Sequence, residues 1–290
     1  MITRFQYGHP IRTDSIIKHI PIEEGYPKHL VYEDGEKITF TYEMKPQDMV
    51  YGLGENMRGI NKRGFTYISR CVDNAIHTED CHSLYAAHNF IIIYGIETFG
   101  IFIDTAGIVS YDIGETDIDQ IIITCDDKDL NIYMIEGKSL KDVAKQFRQL
   151  IGRSYIPPKW AFGYQQSRWK YKTENDFREI VRQYKEHAIP LDAVYLDIDY
   201  MDNYQSFTIH KDNLPHFEEL IQEMKNQGIH MVPIIDAGIK VQDGYHVYEN
   251  GVKENRFCKD KDGHFFRCGV WPGYCHFVDV LNTQHRNWFG

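Results

Sequence analysis

The 290-residue chain has no hydrophobic run long enough to cross a bilayer. Its longest apolar stretch is Phe90 to Ile96. The first residues, Met1-Ile2-Thr3-Arg4-Phe5, lack the charged-then-apolar pattern of a secretory leader. It carries no cluster of Lys and Arg, and its 32 basic residues are outnumbered by 42 acidic ones, a formal net charge of -10. That balance argues against nucleic acid or an anionic membrane as partner. The six cysteines (Cys71, Cys81, Cys125, Cys258, Cys268, Cys275) contain no C-x-x-C pair and read as reduced thiols of a cytoplasmic protein. Cys258, His264, Cys268, Cys275 and His276 are too irregularly spaced for a structural zinc site, and the fourteen histidines form no H-E-x-x-H pair. No metal is expected.

What is plentiful is aromatic: 20 tyrosines and 16 phenylalanines, with 42% of the chain hydrophobic, which is ample for a core. Residues 1–137 read as short strands punctuated by Gly, Asp and Asn, among them Ile38-Thr39-Phe40-Thr41-Tyr42, Phe65-Thr66-Tyr67-Ile68-Ser69 and Leu130-Asn131-Ile132-Tyr133-Met134. Such a series suggests a β-sandwich. At Ser139 the pattern changes to helical spacing (Leu140, Val143, Ala144, Phe147, Leu150), so 138–155 is read as a linker helix stopped by Pro157-Pro158.

From 156 onward, strands alternate with helices, as in a parallel α/β sheet. Trp160 to Gln165 is expected as a first strand reaching Arg168 and Trp169. A helix capped by Thr173 and Asp176 follows, with Phe177, Ile180, Val181 and Tyr184 on one face. The next strand, Leu191 to Asp199, would place Val194, Leu196 and Ile198 on one side and Tyr195, Asp197 and Asp199 on the other. A second helix begins near Pro215 and ends at Gly228; a third strand, His230 to Ile235, ends at Asp236. Three consecutive strand ends thus carry polar or aromatic groups at the edge where parallel α/β folds bind ligands.

Several strings resemble glycoside hydrolase family 31, the retaining α-glucosidases: Tyr51-Gly52-Leu53-Gly54-Glu55, Trp160-Ala161-Phe162-Gly163-Tyr164, Arg168-Trp169-Lys170-Tyr171, Leu196-Asp197-Ile198-Asp199-Tyr200-Met201-Asp202, Ile235-Asp236-Ala237-Gly238-Ile239 and Val270-Trp271-Pro272-Gly273. The resemblance implies an N-terminal β-sandwich at 1–137 and, from 156 to 290, the start of a (β/α)8 barrel with an insertion after its third strand. It implies a carbohydrate substrate, no cofactor, and leaves a homo-oligomer open. Asp197 would bind the far hydroxyls of a terminal glucose and Ile198 would join the same wall. Trp169 and Trp271 would line the pocket, Asp236 would face it, and Asp73 would reach over it from the N-terminal domain. Arg168 and Asp199 would support. Lys170 stands where many members have Gly, and Ala237 where many have Pro.

Retaining glycosidases need a nucleophile and an acid/base carboxyl about 5–5.5 Å apart, flanking the scissile bond. The family's W-x-D-M-x-E nucleophile string is absent from residues 1–290. Asp197 and Asp199, two residues apart on one strand, would approach a sugar from one side, which suits binding. Both catalytic carboxyls are therefore expected beyond residue 290, in a longer enzyme, and 1–290 alone is expected to be inactive. Two other readings share parts of this pattern. An apolar strand ending in D-x-D also describes magnesium-dependent aspartyl-phosphate phosphatases, but Met201 and Asp236-Ala237-Gly238 depart from their pattern. A non-catalytic sugar-binding homologue would share the fold without the nucleophile.

Overall fold

The computed structural model describes residues 1–17 and 19–290, which divide into two units, Met1–Tyr155 and Ile156–Gly290. Among the described residues of the first unit there are eleven strands: β1 (Ile2–Tyr7), β2 (Glu23–Glu24), β3 (Val31–Asp34), β4 (Ile38–Glu43), β5 (Met49–Gly54), β6 (Phe65–Ser69), β7 (Ala87–Tyr94), β8 (Thr98–Asp104), β9 (Val109–Ile113), β10 (Gln120–Cys125) and β11 (Leu130–Glu136). They form a six-stranded sheet, β2-β1-β11-β8-β7-β5, and a five-stranded sheet, β3-β4-β10-β9-β6. Alternate residues of both sheets (Phe40, Ile91, Ile93, Ile101, Tyr111, Ile121, Ile123, Ile132) meet in one core.

The six-stranded sheet is apolar on its outer face as well, because α1 (Leu140–Ile151) covers it. Val143 and Leu150 pack on Ile2, Ile92, Tyr133 and Ile135, and Phe147 stacks on Phe90 with ring centroids 3.7 Å apart. The helix read as a linker thus lies along the sandwich, which explains why β11 is buried on both sides. Ser139 caps it, accepting from the Asp142 amide.

The Tyr51-Gly52-Leu53-Gly54-Glu55 string has a backbone explanation. β5 slips register against β7 between Gly52 and Gly54, and residues 52, 53 and 54 all have positive φ (130°, 68°, 79°). A Cβ at Gly52 would collide with the Phe90 carbonyl, so only glycine fits.

The second unit holds β12 (Gln165–Gln166), α2 (Glu174–Glu186), β13 (Ala193–Leu196), α3 (Phe217–Asn226), β14 (His230–Pro233), β15 (Gly238–Lys240), α4 (His246–Lys253), β16 (Arg267–Val270), β17 (Gly273–Phe277) and α5 (Thr283–Phe289). β12, β13 and β14 form a parallel sheet, the first three strands of a (β/α)8 barrel. β15, β17 and β16 make a separate antiparallel sheet that follows β14. α2 carries the full capping box of Thr173 and Asp176 and buries Phe177 and Val181 against Val194 and Leu196. Glu174 ties α2 to α3: it accepts from the His216 amide (2.6 Å) and from Arg178 (3.1 Å), and Arg178 also reaches Glu223 (2.7 Å).

Two strand expectations are corrected. Lys159–Phe162 is a 3-10 helix and only Gln165–Gln166 pairs with β13, because Gly163 and the preceding Pro157-Pro158 keep this segment out of the ladder. β13 ends at Leu196, where Asp197 caps a 3-10 helix, Ile198–Tyr200. The two-residue alternation therefore stops before Asp197, and Asp197 and Asp199 do not share a strand face.

Candidate functional site

The cap at Asp197 is local chemistry. Its Oδ1 accepts from the Ile198 amide at 2.7 Å, which turns the chain out of the ladder just past the strand end. The turn is fixed to the neighbouring strand: the Ile234 amide donates to the Leu196 carbonyl (2.9 Å), and the Tyr200 hydroxyl donates to the Ile234 carbonyl (2.9 Å). Asp197 and Asp236 are thereby held at the carboxyl ends of adjacent parallel strands.

Asp236 is the electrostatic centre of this group. Partial burial raises its pKa above the ordinary carboxylate range; the Trp271 indole, donating toward it, pulls the pKa down, and the charge of Asp197 pushes it up again. Its Oδ2 is buried without a hydrogen-bond partner among the described residues. The Asp236 charge in turn adds to burial in raising the Tyr200 phenol, and in pushing the Cys275 thiol up to about 11. The backbone beneath is braced, since Ser206 Oγ donates to the Asp236 carbonyl (3.1 Å) and Tyr245 donates to the Ser206 carbonyl (2.7 Å).

Trp271 comes from a two-residue hairpin tip, Trp271-Pro272, between β16 and β17, closed by Gly273 at φ 108°. It is 43% exposed, and its ring meets Tyr204 edge to face at 5.2 Å. One polar face, a buried orphan oxygen and an exposed indole edge suit a hydroxyl-rich ring.

The remaining candidates have contacts of their own. Asp199 is 6% exposed and is paired with Lys172 (3.3 Å), not with Arg168. Arg168, expected to orient one of the acids, is exposed on the short segment after β12 and makes no ion pair among the described residues; Lys172 is the residue that loops back to Asp199. Ile198 packs on the Phe177–Leu196 cluster. Trp169 is 58% exposed, with Lys170 Nζ 4.9 Å above its ring, and has no ring contact with Trp271. Lys170 holds a φ of 81°, the conformation glycine adopts freely. Asp73 lies in the first unit, in the loop after β6, near Tyr85, whose hydroxyl donates to the adjacent Asn74 carbonyl (2.8 Å). Sequence reasoning missed Lys172, Tyr204 and Ser206; only the positive φ values around Tyr204 signal them, and those are invisible in the sequence.

Comparison with known proteins fits this arrangement. Residues 154–290 match the model of the glycosyl hydrolases family 31 TIM-barrel domain, and residues 11–112 that of the glycosyl hydrolase 31 N-terminal galactose mutarotase-like domain. Alpha-glucosidase 2 of Bacillus thermoamyloliquefaciens is 35% identical over 281 residues, covering 93% of this chain and 36% of that protein. The alpha-glucosidase of Saccharolobus solfataricus is 29% identical over 261 residues, covering 89% of this chain and 37% of that one. The structure of the Flavobacterium johnsoniae GH31 dextranase complexed with glucose superposes with a TM-score of 0.81 at 25% identity, over 91% of this chain and 32% of the dextranase. The chain spans about a third of the length of the relatives it matches.

Proposed function

Since the chain belongs to glycoside hydrolase family 31, we propose that it contributes the sugar-holding side of an exo-acting retaining α-glucosidase, one that releases glucose from the non-reducing end of α-1,4- or α-1,6-linked saccharides. The observation that carries the reading is the convergence of Asp197, Asp236 and Trp271 at the ends of β13 and β14. Asp197 grips the far hydroxyls of the glucose. Asp236 accepts from another hydroxyl through its orphan oxygen, and Trp271 forms a wall. Trp169 and Ile198 add to the rim, and Asp199 supports the loop through Lys172.

In the reaction, a carboxylate attacks the anomeric carbon while a second carboxyl protonates the departing sugar oxygen. Water, deprotonated by that second group, then displaces the enzyme carboxylate and frees glucose. The reading assigns neither role to a residue of 1–290, for want of the W-x-D-M-x-E string. What Asp197 and Asp236 add is binding that tightens as the ring flattens toward the transition state. The cysteine pattern supports a reducing, cytoplasmic setting.

A substrate panel on the full-length protein (maltose, isomaltose, an α-xyloside and p-nitrophenyl phosphate with magnesium) tests the assignment. Glucose release from the first two is the expected result. Phosphate release alone, or sugar binding without turnover, would replace it with one of the two rival readings.

A further inference from the structure

A cavity of about 200 Å³ is lined by Lys172, Asp199, Met201, Asn203, Tyr204, His210 and Asn213. At about 30 Å³ per water molecule it holds the equivalent of six or seven waters, the room a single sugar ring needs. We propose that it is a second saccharide site, separate from the one at Asp197, that takes a neutral sugar unit. The proposal rests on the glucosidase reading for the class of ligand and on its own geometry for the place.

Asp199 is the first support. It is almost wholly buried; Oδ1 meets Lys172 at 3.3 Å, while Oδ2 is buried and has no partner among the described residues. An orphan carboxylate oxygen is costly in a dry interior and is satisfied by a ligand hydroxyl. Around it the donors and acceptors are mixed. His210 Nδ1 accepts from the Asn213 amide at 3.4 Å, which leaves Nε2 as the donor. The Asn213 side chain has no partner among the described residues and offers both an acceptor and two donors. Lys172 against Asp199 is neutral overall: the lysine repels a cation and the aspartate repels a phosphate. A neutral ring bearing several hydroxyls satisfies every group.

The backbone is the second support. Asn203, Tyr204 and Phe207 all have left-handed φ (48°, 60°, 65°), which costs roughly 1–2 kcal/mol per residue for ordinary side chains. The strained turn is held by Lys240 donating to the Asn203 carbonyl (2.8 Å) and by Thr208, which accepts from the Asp202 amide (2.9 Å). Strain held this firmly clusters at ligand sites. Here it sets Asn203 and Tyr204 on the cavity and puts the Tyr204 ring against Trp271, so both sites share one aromatic pair.

The test uses full-length protein saturated with the glucose-shaped iminosugar deoxynojirimycin, then titrated with methyl α-glucoside in a calorimeter. A second binding event in the millimolar range is expected, weakened at least about tenfold by Asn213→Ala and by His210→Ala, each shown folded by its melting curve. No binding to the saturated protein, or binding that both substitutions leave unchanged, overturns the proposal. If the iminosugar itself does not bind, the primary-site reading fails, and the same two substitutions still report on the second site from titration of methyl α-glucoside alone.

Discussion

Asp197 and Asp236 stand at the ends of two hydrogen-bonded parallel strands, close enough for the charge of one to raise the pKa of the other. Two acids held in mutual repulsion are stable only if hydrogen bonds or a ligand compensate, and here Trp271 compensates Asp236 in part. The arrangement gives a pH signature. Because the folded pKa of Asp236 lies above its unfolded value, its stabilising contribution is complete below the ordinary carboxylate pKa and is lost as pH rises through the folded value. Asp236→Asn, neutral throughout, should therefore raise the melting temperature at pH 7, with a gain that shrinks toward pH 4. A gain that does not vary with pH would show that Asp236 titrates normally.

Lys170 holds a φ of 81°, so Lys170→Gly removes backbone strain of about 1 kcal/mol and loses the ammonium over Trp169. The unfolded glycine chain is more flexible, which offsets most of the gain. The expected net effect in urea unfolding is within about 1 kcal/mol and stabilising in sign. A clear destabilisation would mean that the Lys170–Trp169 contact outweighs the strain.

Trp169 is more than half exposed, its ring covered by Lys170 rather than by the rest of the rim. It is free to meet a leaving sugar. Trp169→Tyr should shift the ratio of kcat/KM for maltose against isomaltose several-fold, while an unchanged ratio removes it from substrate selection.

The second unit leaves β14 at the edge of a three-stranded parallel sheet, with Ile235 exposed beyond it. Open edges with apolar neighbours self-associate. Residues 1–290 alone should aggregate and release no p-nitrophenol from p-nitrophenyl α-glucoside. Soluble, robust turnover by that piece would place both catalytic carboxyls inside it.

Much of this was legible in the sequence because the signals were local. The Thr173–Asp176 capping box, the i, i+3, i+4, i+7 face of α2 and the apolar β7 and β11 runs each follow from spacing. That Asp197, Asp236 and Trp271 belong to one site was expected only through three strings that resemble one family; the influence of Asp197 and Trp271 on Asp236 is what the structure adds. What the sequence hid is set by tertiary context. Asp197 leaves the ladder because its own side chain caps the next turn, a choice that alternation cannot reveal. Lys172 rather than Arg168 meets Asp199 because the segment between β12 and α2 folds back. The left-handed pair Asn203–Tyr204 has no glycine to announce it.

The account turns on Asp197 holding sugar hydroxyls, and the most direct measurement is kcat/KM for p-nitrophenyl α-glucoside in full-length protein carrying Asp197→Asn. Losing charge-assisted hydrogen bonds, each worth about 1.5–3 kcal/mol, predicts a fall of roughly a hundredfold or more with the melting temperature little changed. A folded variant within threefold of the natural enzyme would contradict the site described here.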